Sequence, residues 1–248
     1  MIKFFRNIRK RLINEGKTTN YLKYALGEIV LVVFGILIAL QMNNWNQNRI
    51  ENLRTRDLLQ NMKNDLRSDI NFLIAYVEGN EKQVKYSVEI LNDSLNEAID
   101  ADSLYKKLPL WATTLEINSQ SFDKIKNVGL TNLLGLKELD STITEYYVKS
   151  THMTQGFTNW EQEQTQNDND FWLSASKMEF PNSFSSENNV AYKQTEAERK
   201  QELMRIINSI EGRKRIRLAM NRKQALTKIL LKRKDKAEYL LSLIEESL

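Results

Sequence analysis

The 248-residue chain has no cysteine and one histidine, His152. Without cysteine there is no disulfide framework, no thiol nucleophile and no cysteine-ligated zinc or iron–sulfur centre. One histidine excludes an HExxH pair and any two-histidine metal site. Glycine (8) and proline (2) are also scarce. That scarcity weighs against an all-β fold and against a glycine-rich nucleotide-binding fold. The residues that remain favour helix.

The formal charge of +4 conceals a division. Residues 1–42 carry 7 Lys/Arg against 2 acids, whereas residues 43–248 carry 29 against 30. The basic balance therefore belongs to the first segment, and a nucleic-acid-binding role is a poor reading. Charge is segregated again further on: residues 43–198 hold 15 cations and 24 acids, and residues 199–236 hold 14 and 3.

Tyr24 to Met42 reads YALGEIVLVVFGILIALQM, with Glu28 as its one charge. At 1.5 Å per residue such a helix spans about 28 Å, close to the hydrocarbon thickness of a bilayer. The β-branched Val30, Val32, Val33, Ile36 and Ile38 do not argue for a strand, because a lone strand cannot satisfy its backbone in lipid. Tyr21 and Tyr24 on one side and Trp45 on the other are interface anchors. Lys3, Arg6, Arg9, Lys10 and Arg11 precede the span, with Lys17 and Lys23, and only Arg49, Arg54 and Arg56 follow closely. The positive-inside rule then places the N-terminus in the cytoplasm and the rest outside it, in the periplasm of a Gram-negative cell. A cleaved signal peptide is the rival. The apolar run is long for one, and Ala39-Leu40-Gln41 makes no small-x-small cleavage site. Residues 2–13 form a short basic amphipathic segment, read either as a helix on an anionic leaflet or as a plain topology signal.

The stretch MIKFFRNIRKRLINEGKTTNYLKYALGEIVLVVFGILIALQMNNWN closely resembles the N-terminus of an uncharacterised single-pass membrane family common in Bacteroidota, domain of unknown function 6090. Ser121 to Tyr147 (SFDKIKNVGLTNLLGLKELDSTITEYY) is a second, weaker likeness. The resemblance implies an inner-membrane protein with a periplasmic helical domain. It implies no activity and no catalytic residues.

The expected architecture is all-α. A basic segment (1–20) leads into a transmembrane helix (21–46), which continues into an elongated, extracytoplasmic, antiparallel, coiled-coil-like bundle (47–248). Leu59, Met62, Leu66, Ile70, Leu73 and Val77 make one apolar stripe, punctuated by Gly79-Asn80. Val84, Val88, Leu91, Leu95 and Ala98 make a second, and Pro109 ends the stretch beyond it. Leu136, Leu139, Ile143, Tyr146, Ser150, Met153, Phe157 and Trp160 alternate spacings of 3 and 4 as a third. Gly212 breaks the last stretch, whose apolar face is Leu226, Leu230, Ala237, Leu240, Leu241 and Ile244. Helices are therefore expected at about 47–78, 80–107, 136–165, 196–211 and 213–247, with a polar loop at 161–190 pinned by Phe171, Trp172, Phe180 and Phe184.

Each candidate site has a plainer alternative. Glu28 and Gln41 are the intramembrane polar residues. Glu28 is either partner-facing or a snorkelling residue one turn inside the helix, and a proton path finds no polar residue between the two. Gly27, Leu31, Gly35 and Ala39 recur every fourth residue, and Gly35-x-x-x-Ala39 suits helix–helix packing in lipid or arises by chance. The cationic run of residues 199–236 binds anionic lipid or an acidic partner, or pairs with the acidic helices on a solvated face. His152 is a metal ligand or, more plainly, a boundary residue beside an apolar face. Asp168-Asn169-Asp170 lacks the glycine and closing glutamate of a calcium loop, and Glu161 and Glu163 face different ways. Trp111, Trp160, Phe171 and Trp172 line a ligand pocket or simply fill the core.

No catalytic, metal or cofactor motif is present, so the expectation is a non-enzymatic protein without cofactor. Its partners are the lipid bilayer and either itself or other membrane proteins. The leading expectation is a scaffold or accessory subunit. The alternatives are a sensor whose output a partner supplies, since only 23 residues precede the span, and an oligomeric pore.

Overall fold

The computed structural model describes residues 18–129, 136–181 and 190–248, and these form an all-α chain with no strand. The chain divides into two compact units, Met1–Arg56 and Asp57–Leu248. Helix α1 covers Thr18–Leu91 and contributes to both.

In the first unit, the described structure is the helix alone. It is long and apolar enough to cross a membrane, and none of its most apolar 18-residue window is buried. Its large apolar side chains from Leu22 to Met42 are exposed.

In the second unit, α1 presents Leu58, Leu59, Met62, Leu66, Leu73, Val77 and Ile90 to the core. The expected break at Gly79-Asn80 does not occur: both lie within α1. A glycine inside a helix costs only about 1 kcal/mol relative to alanine. Burial on either side offsets that, and Asn80 itself is buried, its Oδ1 accepting from the Thr113 hydroxyl at 3.2 Å. The second stripe does not run as expected either. Ser87 and Ile90 are buried while Val88 is exposed, and Leu95 and Ala98 lie beyond the helix end. Asp93, at φ 54°, turns the chain away from α1.

A short helix α2 (Ala101–Lys106) follows, its N-cap Asp100 accepting from the Ser103 N–H. The expected helix at about 80–107 is thus the end of α1, a turn and α2. Residues 109–119 are then non-helical and run back along α1. Thr113 meets Asn80, Asn118 meets Asp69, and the Ser121 N–H reaches Asp65. This return segment leads to α3 (Gln120–Val128), which ends on Gly129 at φ 68°, a left-handed cap that glycine adopts without strain.

Helix α4 (Lys137–Thr144) passes through a π-helical turn (Glu145–Ser150) into α5 (Thr151–Ala175). The π-turn corrects the third stripe. One extra residue per turn rotates everything after it. Leu139, Ile143, Tyr146 and Ser150 are buried as expected, but Met153 and Trp160 are exposed and Phe157 is only half-buried. Thr154, Thr158, Glu161, Thr165, Asp168 and Trp172 face inward instead. The expected loop at 161–190 is helical as far as Ala175, which places Phe171 and Trp172 on a helix; Phe184, Leu130, Leu133, Leu134 and Gly135 lie outside the described residues.

Helix α6 (Glu196–Ile207) opens with a capping box between Thr195 and Glu198. Helix α7 (Ile210–Ser247) opens on Ser209, whose hydroxyl accepts from the Gly212 N–H at 3.0 Å. The break therefore falls at Asn208–Ser209, and Gly212 lies in the first turn of α7. Its glycine serves close approach: a Cβ there would stand 2.1 Å from the Ile206 carbonyl oxygen.

Residue pairs fix the directions. Glu161 meets Lys223 and Glu145 meets Lys236, so α7 runs antiparallel to α5. Arg67 meets Glu245 and Arg213 meets the Leu91 carbonyl, so α7 also opposes α1, while α1 and α4–α5 run parallel and the extended segment makes the return between them. Three apolar clusters succeed one another along this unit. Leu59, Met62, Leu66, Ile143, Leu240 and Ile244 belong to the first. Leu73, Val77, Leu115, Leu226 and Leu230 form the second, and Ile90, Leu104, Trp172, Leu203 and Ile216 belong to the third.

Candidate functional site

The polar face of α5 has a local cause. A non-helical segment packed inside a helical bundle brings backbone N–H and C=O groups that no helix or sheet pairs. Side chains pair them here. Glu161 accepts from the Thr113 N–H at 3.2 Å, Asp69 from the Asn118 N–H at 3.0 Å and Asp65 from the Ser121 N–H at 3.0 Å. Lys223 donates to the Trp111 carbonyl at 2.7 Å, and Asn169 donates to the Leu110 carbonyl at 3.2 Å.

Buried carboxylates need cations, and α7 supplies them. Lys223 Nζ lies 2.8 Å from Glu161 Oε1. Asp168 is held between Arg222 and Arg215, the latter at 2.9 Å. Arg222 and Arg233 occupy core positions of α7, in step with Leu226, Leu230 and Ala237. The cationic run of 199–236 thus pairs within the chain, but not only on a solvated face. Arg199, Arg222, Lys223 and Arg233 are all buried, and Arg199 pairs with Asp102.

A third group joins α1, the π-turn and α7. Tyr146 donates to Asp69 at 2.8 Å, and the Arg233 guanidinium stacks 4.7 Å from the centre of the Tyr146 ring. Arg233 also donates to Thr151 Oγ1 at 2.8 Å and Thr154 Oγ1 at 3.2 Å. Burial raises the Asp69 carboxyl above its ordinary value of 3.8, outweighing the hydrogen bonds from Asn118 and Tyr146 and the nearby charge of Arg233. Burial, reinforced by the Asp69 charge, raises the Tyr146 phenol as well.

Beside the upper end of the return segment lies a cavity of about 220 Å³. It is lined by Tyr105 and Lys106 of α2, Leu110 and Trp111 of the return segment, Asn169, Trp172 and Leu173 of α5, and Pro181. Of the four aromatics singled out from sequence, Trp111 and Trp172 meet here. Trp160 is exposed, and Phe171 packs edge-on against Trp172 beneath Arg215.

Chemically, these carboxylates are committed to cations and to backbone. Glu163 is exposed and stands apart from Glu161, and His152 is exposed. In the Asp168–Asp170 run, Asp168 pairs with arginines, Asn169 binds Leu110 and Asp170 accepts from Gln166, so the three do not converge. Among the described residues no cluster of three acids or histidines is placed to hold a metal.

The candidate packing, polar and anchor residues of the span lie on α1. Gly27, Leu31, Gly35 and Ala39 are exposed, and a Cβ at Gly27 or Gly35 would meet no atom within 4 Å. Tyr24, Gln41 and Trp45 are exposed, Glu28 is half-buried and Tyr21 is a helical position. Lys3, Arg6, Arg9, Lys10 and Arg11 lie outside the described residues.

The sequence stripe missed Thr154, Thr158, Glu161, Thr165 and Asp168. Their signal was a polar stripe with the same 3 and 4 spacing, opposite arginines at the core spacing of α7.

Fold and site together define a helical protein with, among the described residues, one helix fit to cross a membrane and a bundle whose core carries buried ion pairs. The chain belongs to a family of unknown function, DUF6090, whose model matches residues 28–151. That range takes in most of α1, the return segment, α3, α4 and the π-turn. No curated protein and no solved structure matches the chain.

Proposed function

We propose that this is a single-pass protein of the inner membrane, as the resemblance to a Bacteroidota family suggests. Its N-terminus would be cytoplasmic and its helical domain periplasmic. It would act without catalysis, as a scaffold or accessory subunit that self-associates or joins a larger membrane assembly. The observation that carries this is the run of exposed apolar and small residues from Leu22 to Met42, with open space beside Gly27 and Gly35. The ion-paired core supports it too, since Glu161, Asp168 and Asp69 are occupied in holding the return segment and its flanking helices.

The test is the native mass of the full-length protein, extracted gently from its own membrane, with its co-purifying polypeptides. A defined oligomer or a reproducible partner is expected, and Gly35→Ile should weaken the assembly. A lone monomer that retains nothing would end the proposal. Orientation has its own check, because the chain has no cysteine of its own. A cysteine at the exposed Glu163 should react with an impermeant maleimide once the outer membrane is opened, without lysis of the inner one.

A further inference from the structure

Beyond the apolar run, α1 continues without a break as residues 43–56, still within the first unit. This stretch carries a shallow groove of about 270 Å³, lined by Trp45, Asn48, Arg49, Asn52, Leu53 and Arg56. One helix builds it. Positions 45, 49, 52 and 56 follow at spacings of 4, 3 and 4, which is a single face. All six residues are exposed. Trp45, Asn48, Arg49 and Asn52 make no hydrogen bond or ion pair among the described residues. An indole N–H, two amides and a guanidinium therefore stand open together.

Their chemistry suits an anion. The lining holds no carboxylate. Glu51, the one acid among residues 43–56, comes two residues after Arg49 and so belongs to another side of the helix. A guanidinium matches a pair of phosphate oxygens with two parallel donors. The amides of Asn48 and Asn52 both donate and accept, which suits hydroxyl groups beside that charge.

Their depth selects the anion. Trp45 lies three residues past Met42 and Arg49 seven, about 4.5 and 10.5 Å along a helix axis. The headgroup region of a bilayer extends about 5–8 Å beyond the hydrocarbon on each side. Trp45 thus stands at headgroup level, and the long Arg49 side chain reaches back to it. Phosphate is the anion that phospholipids supply there. A zwitterionic head brings its own ammonium up to Arg49, whereas a phosphoglycerol head brings hydroxyls.

We propose that this groove binds the headgroup of an anionic phospholipid of the phosphatidylglycerol class. Its phosphodiester accepts from the Arg49 guanidinium and the Trp45 indole N–H, and its glycerol hydroxyls meet Asn48 and Asn52. The site rests on the reading that α1 crosses a membrane, and it adds a lipid partner to that reading.

The test places the full-length protein in nanodiscs of equimolar phosphatidylglycerol and phosphatidylethanolamine and weighs the lipids it retains by native mass spectrometry. Phosphatidylglycerol should be retained in preference. Arg49→Gln should lower that preference about fivefold. Arg54→Gln removes the same charge from the other side of the helix and should leave it unchanged. An unchanged ratio in Arg49→Gln overturns the site, and an equal fall in Arg54→Gln reduces it to general charge attraction, which overturns it too. Displacement of the retained lipid by millimolar glycerol 3-phosphate would assign the groove to a soluble phosphate and overturn the lipid. Carbonate extraction of the native membrane separates the two readings. Release of the protein overturns the span itself, while a carbonate-resistant protein without lipid preference overturns the site alone.

Discussion

Glu161 and Lys223 close a buried ion pair at 2.8 Å, and each also grips the return segment, Glu161 at the Thr113 N–H and Lys223 at the Trp111 carbonyl. One pair thus fastens α5, α7 and an extended stretch of chain to one another. Removing a single partner should be far worse than removing both. Lys223→Met leaves a buried carboxylate unpaired and is expected to cost about 3–5 kcal/mol in denaturant unfolding. Glu161→Gln with Lys223→Met should recover much of that, leaving a loss nearer the worth of the lost Trp111 bond, about 1 kcal/mol. Strictly additive losses would show that the pair is not coupled.

The π-turn makes an unusual deletion tolerable. Removing exposed Val148 takes out the extra residue, so Thr154, Thr158 and Glu161 keep their inward face on a regular helix. Removing exposed Gln162 instead throws Thr165, Asp168 and Trp172 out of register. Cooperative thermal unfolding should survive the first deletion and be lost in the second. Equal damage from both would refute the extra-residue role of the turn.

Asp69 gives the domain a pH dependence of known sign. Its folded pKa is raised above 3.8, chiefly by burial. The stability it contributes is therefore fully present below the unfolded value and is lost as pH rises through the folded value. Asp69→Asn keeps an acceptor for the Asn118 N–H and abolishes the titration. The variant should gain on the native protein as pH rises from the ordinary carboxylate value up to the raised folded value, and hold that gain above it, read from denaturant midpoints at each pH. A difference that stays flat over that range would show that burial leaves this carboxyl unperturbed.

Gly212→Ala tests the junction of α6 and α7. The added methyl meets backbone, the Ile206 carbonyl, at 2.1 Å, so it cannot be relieved by a side-chain rotation. A loss of about 1–3 kcal/mol is expected, in line with other overpacked sites. Gly79→Ala meets nothing within 4 Å and should be neutral or stabilising, with circular dichroism melts separating the two.

Where packing was apolar and regular, the sequence was legible. Leu59, Met62, Leu66, Leu73 and Val77 are buried as their spacing implied, and so are Leu226, Leu230, Ala237, Leu240 and Ile244. The apolar run of residues 24–42 likewise reads directly as a helix fit for a membrane. The features that stayed hidden depended on long-range partners. Nothing local to residues 145–150 announces a π-turn, and without it Met153 and Trp160 read as core. Gly212 was a true signal with another meaning, close approach rather than a break. In the sequence Asp168 registers only as part of an incomplete calcium loop and Glu161 only against Glu163, because their partners, Arg222 and Lys223, lie more than fifty residues along the chain.

Each of the three apolar clusters needs helix α7. Its residues belong to all of them, and its contact to Arg67 closes a loop of 178 residues. Contacts that distant are slow to form, because the loop must close before they contribute. Glu161 and Asp168 also draw from α7 the cations that make their burial tolerable, so a bundle without this helix would lack charge balance as well as apolar cover.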